Sequence, residues 1–201
     1  MFIKNQATLK INPNRITNYR RTRNELEMFL CFSIVVAGKN SKIQSQKLHD
    51  FDESRKLHGM GDSGIFDYIR YLVKHNALVS ELELVKMGQY NRISNAFKQL
   101  VDAKLNLFTC SFEDLTAIDG VSLKSANFFL THSRGGYNEP ILDTHILKFL
   151  GKQGIKVPKN SPQSLTIYSK LANEFKMIAK KMGKTVAELD LFIWKIASQK
   201  S

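Results

Sequence analysis

Apolar residues recur three and four positions apart along most of this chain, and convincing strand alternation is absent. Between residues 22 and 36, Leu26, Leu30 and Ile34 fall four apart with Phe29, Phe32 and Val36 beside them, which predicts a buried helix. Ser63 is a candidate start for a helix over 64–75. Ser80 with Glu83 reads as a capping box, and a basic helix over 89–104 follows. Ser161-Pro162 reads as an N-cap with proline at the first helical position, opening a helix that reaches Met182 and stops at Gly183. Thr185 with Glu188 is a further capping box, before a last helix through Leu189, Ile193 and Ala197. Only residues 7–11 suggest a short β segment. There are no internal repeats and no low-complexity tracts, so the pattern predicts an all-α chain.

The stretch from 111 to 146 departs from this plain helical pattern. Ser111 and Asp114 form another capping box, with Leu115 and Ile118 on one helical face. Asp119-Gly120 then breaks the helix, because glycine tolerates positive φ without steric cost. Val121 is placed to plug the turn from below, and Ser122 is a natural N-cap for the next helix. A tight turn before a helix N-terminus presents unpaired N–H groups to an anion such as a DNA phosphate. The same turn also serves as an ordinary helix-turn-helix corner, and by itself does not decide between the two. Lys124 opens the second helix, Gly135-Gly136 makes a flexible turn after it, and Asp143-Thr144 suits a further N-cap. An amine opening the hairpin's second helix and a carboxylate beyond it are the groups needed to break a glycosidic bond.

Charge and cysteine content narrow the partners. The 201 residues carry 30 Lys and Arg against 18 Asp and Glu, a net charge of +12 with pI near 9.7, which favours a polyanion such as nucleic acid. At 43% hydrophobic residues the chain is globular, and its length suffices for one sizeable core or two small lobes. Cys31 and Cys110 alone imply a reducing compartment, cytoplasmic (nucleoid) or nuclear, and are too few for a four-cysteine iron–sulfur cluster. The five histidines lack metal-ligand spacing, so neither metal nor cofactor is expected. No run of about 18 apolar residues occurs, so no membrane span is expected, and the N-terminus does not read as a signal peptide.

The run Ile118-Asp119-Gly120-Val121-Ser122-Leu123-Lys124-Ser125-Ala126, followed by Leu142-Asp143-Thr144-His145, resembles the signature of the helix-hairpin-helix DNA glycosylase superfamily. That signature reads Leu-Pro-Gly-Val-Gly-x-Lys-Thr-Ala and then Val-Asp-Thr-His. Asp119 replaces the usual proline and Ser122 the second glycine. The resemblance implies a two-lobed all-α glycosylase fold with the active site in the interlobe cleft. It also implies a central lobe of 21–140 carrying the hairpin 112–130, and a second lobe of 1–20 plus 141–201. Lys124 is then the Schiff-base nucleophile of a bifunctional glycosylase/AP lyase, and Asp143 the carboxylate that stabilises charge at C1′.

Other positions follow from the same resemblance. Gly120, Val121 and Ser122 form the phosphate-binding hairpin. Lys39 and Asn40, after Gly38, stand where relatives wedge into the duplex, and His132 with Arg134 are further DNA contacts. Residues 30–37 resemble the early pocket helix of the family, nominating Cys31 and Ser33 for the base pocket. Glu188-Leu189-Asp190-Leu191-Phe192-Ile193-Trp194 resembles the ending of the archaeal type of 8-oxoguanine DNA glycosylase/lyase, nominating Trp194 and the near-terminal Lys200 as pocket residues. The implied partner is double-stranded DNA bearing a modified base or an abasic site, bound by a monomer. Oxidised or hypermodified pyrimidines are the competing substrates. A catalytically idle DNA-binding module and a base-modifying enzyme on the same scaffold are the competing classes.

Overall fold

A computed structural model describes residues 11–198. Among these, the chain forms ten α-helices and one short 3-10 helix. In chain order they are α1 (Arg23–Val35), α2 (Ser41–Ser54), the 3-10 turn Arg55–His58, α3 (Ile65–Lys74), α4 (Leu78–Leu84), α5 (Tyr90–Asp102), α6 (Phe112–Thr116), α7 (Leu123–Ser133), α8 (Thr144–Lys152), α9 (Leu165–Lys181) and α10 (Val186–Ser198). Most of the short β segment suggested near the N-terminus, residues 7–10, lies outside the described residues.

The chain folds as two compact units. One comprises Met1–Ile16 with Thr22–Leu107; the other comprises Thr17–Arg21 with Phe108–Ser201. The division therefore falls at Leu107 rather than at 140. The hairpin helices α6 and α7 join the C-terminal helices, and only five N-terminal residues, 17–21, go with them. The physical reason is that α10 packs against α7 as well as α8 and α9, so the hairpin shares their core.

In the first unit, α1 opens with a capping box missed by the apolar pattern: Thr22 Oγ1 accepts from the Glu25 N–H, and Glu25 accepts from the Thr22 N–H. From Leu26 to Val35 every residue of α1 is buried, including Glu27, which accepts from the Phe66 N–H at the start of α3. Phe51 of α2 stands 5.3 Å from the Tyr68 ring and 6.1 Å from Phe97, centring the aromatic core on α2, α3 and α5. Helix α4 starts at Leu78, with Asn76 in the left-handed region at φ 55°, so Ser80 is interior to the helix and caps nothing.

In the second unit, Leu142, Ile146, Leu150, Leu171, Phe175, Leu189 and Ile193 bring α8, α9 and α10 around one core. Helix α9 begins at Leu165 behind Ser164, later than the Ser161-Pro162 pair suggests. The Thr185–Glu188 box forms as the sequence predicts. No described helix is long and apolar enough to cross a membrane.

Candidate active site

Every polar group of the site described here belongs to the second unit, and most are fixed by caps. Ser111 and Asp114 exchange their reciprocal bonds at the start of α6. The chain then turns through Gly120, whose φ of +87° suits glycine and strains any other residue. The Val121 N–H donates to the Ile118 carbonyl at 3.0 Å, closing the turn, and the Val121 side chain is buried beneath it. Ser122 caps α7 by accepting from the Ser125 N–H at 3.1 Å. Its hydroxyl oxygen is thus engaged by the protein, while the first N–H groups of α7 face outward in the manner of any helix start.

Lys124 lies in the first turn of α7. The residue is half-buried, and Nζ stands 5.2 Å from the centre of the Phe128 ring. Burial lowers the pKa of the amine, against the pull of the Asp143 and Asp190 carboxylates, which raise it. Asp143 caps α8: one carboxylate oxygen accepts from the N–H groups of His145 at 2.8 Å and Ile146 at 2.9 Å. The segment leading to it is pinned from α9. The Tyr168 hydroxyl donates to the Pro140 carbonyl at 2.7 Å and accepts from the Leu142 N–H at 3.2 Å. Burial raises the phenol pKa, so it remains a donor. Two backbone constraints and a cap therefore fix the Asp143 carboxylate on a rigid element.

Asp190, on α10, was not foreseen as part of the site. It is buried, its Oδ2 lies 3.4 Å from His132 Nε2, and it interacts electrostatically with both Lys124 and Asp143. Burial raises its pKa, opposed by His132. Asp190 falls within the run that resembles archaeal relatives, but nothing in the sequence announces its pairing with a histidine 58 residues away on another helix.

Several nominated residues are placed differently from expectation. His132 is 0% exposed and cannot reach a phosphate: its Nδ1 bonds Thr17 Oγ1 at 2.8 Å, and its carbonyl accepts from Arg21 Nη1 at 2.7 Å and from the Asn18 N–H at 3.0 Å. The apolar face of α7 continues to its C-terminal end and carries this ring inside. Cys31 and Ser33 are also 0% exposed and present no surface to a base. Burial holds the Cys31 thiol well above its usual pKa, and Ser33 Oγ donates to the Leu30 carbonyl at 2.7 Å. Both are core residues of α1.

Asn40 is exposed, but its side-chain oxygen caps α2, accepting from Lys42 and Ile43 N–H groups at 3.1 Å each. Lys39 is exposed beside it. Arg134 is half-buried, with Nη2 3.2 Å from Cys110 Sγ. Trp194 is half-buried on α10, one turn beyond Asp190. Lys200 lies outside the described residues. Among those described, no cluster of His, Cys, Asp and Glu suits a metal ion.

The all-helical architecture of the described residues, the hairpin and the Lys124 and Asp143 positions together resemble the helix-hairpin-helix DNA glycosylase superfamily. No protein-family model matches it. Its sequence is 34% identical over 121 residues to an 8-oxoguanine DNA glycosylase/AP lyase of Saccharolobus solfataricus, a match covering 60% of this chain and 56% of that protein. It is 27% identical to a protein of the same name from Korarchaeum cryptofilum, across 100% of this chain and 94% of the relative.

The fold is similar to the Methanocaldococcus jannaschii 8-oxoguanine glycosylase/lyase solved with DNA containing 8-oxoguanine, with TM-score 0.62, 19% identity, and coverage of 90% of this chain and 84% of that one. It is also similar to the Thermotoga maritima 8-oxoguanine DNA glycosylase, with TM-score 0.64, 15% identity, and coverage of 88% and 81%.

Proposed function

We propose that this protein is a bifunctional DNA glycosylase/AP lyase that flips a modified base, 8-oxoguanine first, out of duplex DNA and cleaves the strand after excising it. The single observation that carries the reading is the half-buried Lys124 in the first turn of α7, within electrostatic reach of a helix-capping Asp143. A lysine must be neutral to act as a nucleophile, and burial moves its pKa toward that condition. Positive charge develops on the deoxyribose as the base departs, and a carboxylate already held by two backbone N–H groups can stabilise it without reorganising.

The steps follow from these roles. The base leaves with the electron pair of the glycosidic bond and takes up a proton, while the Lys124 nitrogen bonds to C1′. The sugar ring opens as one nitrogen proton passes to O4′, and the nitrogen keeps its other proton in a protonated C=N bond to C1′. Loss of a C2′ proton then expels the 3′-phosphate by β-elimination, which nicks the strand. Hydrolysis of the Schiff base returns the amine.

The hairpin Gly120–Ser122 is proposed to hold a backbone phosphate, which positions the duplex without reading sequence. The exposed Lys39 and the half-buried Arg134 add positive charge for the same polyanion. Trp194 and Lys200 remain the proposed base-reading residues, on the resemblance of this C-terminal segment to the archaeal enzymes.

Borohydride trapping tests the reading. Duplexes carrying 8-oxoguanine or a preformed abasic site should become covalently attached to the wild-type protein, and Lys124→Gln should abolish attachment while DNA binding persists. Binding without trapping on either duplex would indicate an idle DNA-binding module. Excision confined to oxidised pyrimidines in a lesion panel would transfer the chemistry to a different substrate.

A further inference from the structure

Lys124, Phe128 and His132 occupy successive turns on one face of α7 and form a continuous stack. The Lys124 amine lies over the Phe128 ring, and the Phe128 and His132 rings meet edge to face at a centroid distance of 5.2 Å. Asp190 approaches this stack from α10, where His132 Nε2 is 3.4 Å from its carboxylate. The other ring nitrogen of His132 is engaged by Thr17 at 2.8 Å. When the Thr17 O–H donates to Nδ1, the ring proton sits on Nε2, whose closest charged neighbour is the Asp190 carboxylate, near enough for electrostatic attraction though not in hydrogen-bond geometry. Arg21 and Asn18 hold the His132 backbone from the same N-terminal segment. A fully buried histidine, fixed at three points and aimed at a buried carboxylate, is a costly arrangement unless that carboxylate needs a defined position.

We propose that Asp190 is a positioning residue for the Lys124 amine, and that the Thr17–His132 pair holds Asp190 in place for it. The inference rests on Lys124 being the nucleophile proposed above. Asp143 caps α8, with its carboxylate directed by the N–H groups of that helix. Asp190 supplies a second negative charge from α10, so the amine is held between two rigid helices rather than drawn to one. The charged and titratable groups facing Asp190 are Lys124 and His132 from α7, Asp143 from the start of α8 and Tyr168 from α9.

The test measures single-turnover borohydride trapping on a preformed abasic duplex across pH for the wild type, Asp190→Asn, Asp190→Glu and Thr17→Val. Asp190→Asn should lower the plateau rate by about 10²-fold, the scale of roughly an ångström of misplacement at a reacting atom. Its rising limb should also move to lower pH, because losing a neighbouring negative charge lowers the amine pKa. Asp190→Glu should restore part of the rate and return the limb toward its wild-type position. Thr17→Val, a near-isosteric change, should lower the plateau less and in the same direction.

A purely structural role would reduce melting temperature while leaving the limb of the surviving activity unmoved, and that result overturns the proposal. So does a wild-type plateau and limb in both Asp190→Asn and Thr17→Val. If Asp190→Asn does not fold, Thr17→Val decides alone, with a wild-type plateau counting against the proposal. Failure of the wild type to trap at all, or undiminished trapping in Lys124→Gln, would instead remove the underlying assignment of the nucleophile.

Discussion

Asp143 is both a helix cap and the proposed electrostatic stabiliser, and substitutions can separate the two roles. Its carboxylate accepts from two backbone N–H groups, at 2.8 and 2.9 Å. Asparagine keeps an oxygen of the same reach and is as good an N-cap as aspartate, so Asp143→Asn should leave α8 intact. Alanine offers no acceptor, and Asp143→Ala should cost about 1 kcal/mol of stability, equivalent to a melting-temperature drop of about 2–4 °C in a chain of this size.

Catalysis should divide along a different line. Both variants lose the negative charge near C1′, and each should lose at least about 10²-fold in single-turnover excision, or about 2.7 kcal/mol of transition-state stabilisation. The measurements are thermal unfolding by circular dichroism and single-turnover release of 8-oxoguanine from a labelled duplex. An Asp143→Asn protein that melts like wild type but excises slowly fits the reasoning. One that excises at the wild-type rate would show the carboxylate to be a cap alone, and one as unstable as Asp143→Ala would refute the assignment of its capping bonds.

Three further outcomes are expected. Trapping by the wild-type protein should rise with pH as Lys124 loses its proton, with the midpoint of the rise below the ordinary lysine value of 10.5, because burial lowers the amine pKa; a limb centred at or above 10.5 would contradict this. Tyr168→Phe leaves the Pro140 carbonyl and the Leu142 N–H without their partner, so it should cost about 1–3 kcal/mol in denaturant unfolding and slow excision by loosening the approach to Asp143; an unchanged midpoint would show that these groups find other partners. Gly120→Ala forces a side chain into φ +87° and should weaken duplex binding equally on unrelated sequences in a gel-shift assay, whereas a sequence-dependent loss would make the hairpin a base reader.

The features legible in the sequence were those written in local chemistry. Ser111 with Asp114, Ser122, Asp143 and Thr185 with Glu188 act on backbone groups two or three residues away, so spacing alone reveals them. Ser80 and Glu83 have the same spacing but sit inside α4, because the left-handed turn at Asn76 starts that helix earlier. Helix α2 carries only a weak sequence signal, because Ile43, Leu48 and Phe51 are sparse among polar residues, and the position of Asn40 after Gly38 suits a DNA-facing residue as well as the cap it provides. The association of Asp190 with His132 and Lys124 depends on how α7 packs against α10, which no periodicity encodes. Burial decided the fate of His132, Cys31 and Ser33, since motif position cannot tell a lining residue from one behind the lining.

The short segment Thr17–Arg21 has a consequence for how this protein is made. It belongs with helices whose residues begin at Phe108, and its bonds to His132 span 111 and 115 positions of sequence. During synthesis this segment emerges early and must wait until α7 has left the ribosome before it finds its place. Such distant closure is slow relative to local helix formation. The first unit can gather its helices while the second still lacks most of its chain, giving a vectorial order of assembly. A fragment beginning at Phe108 would lack the strap that secures the end of α7. Supplying residues 11–21 as a separate peptide should then speed refolding of that fragment in proportion to peptide concentration.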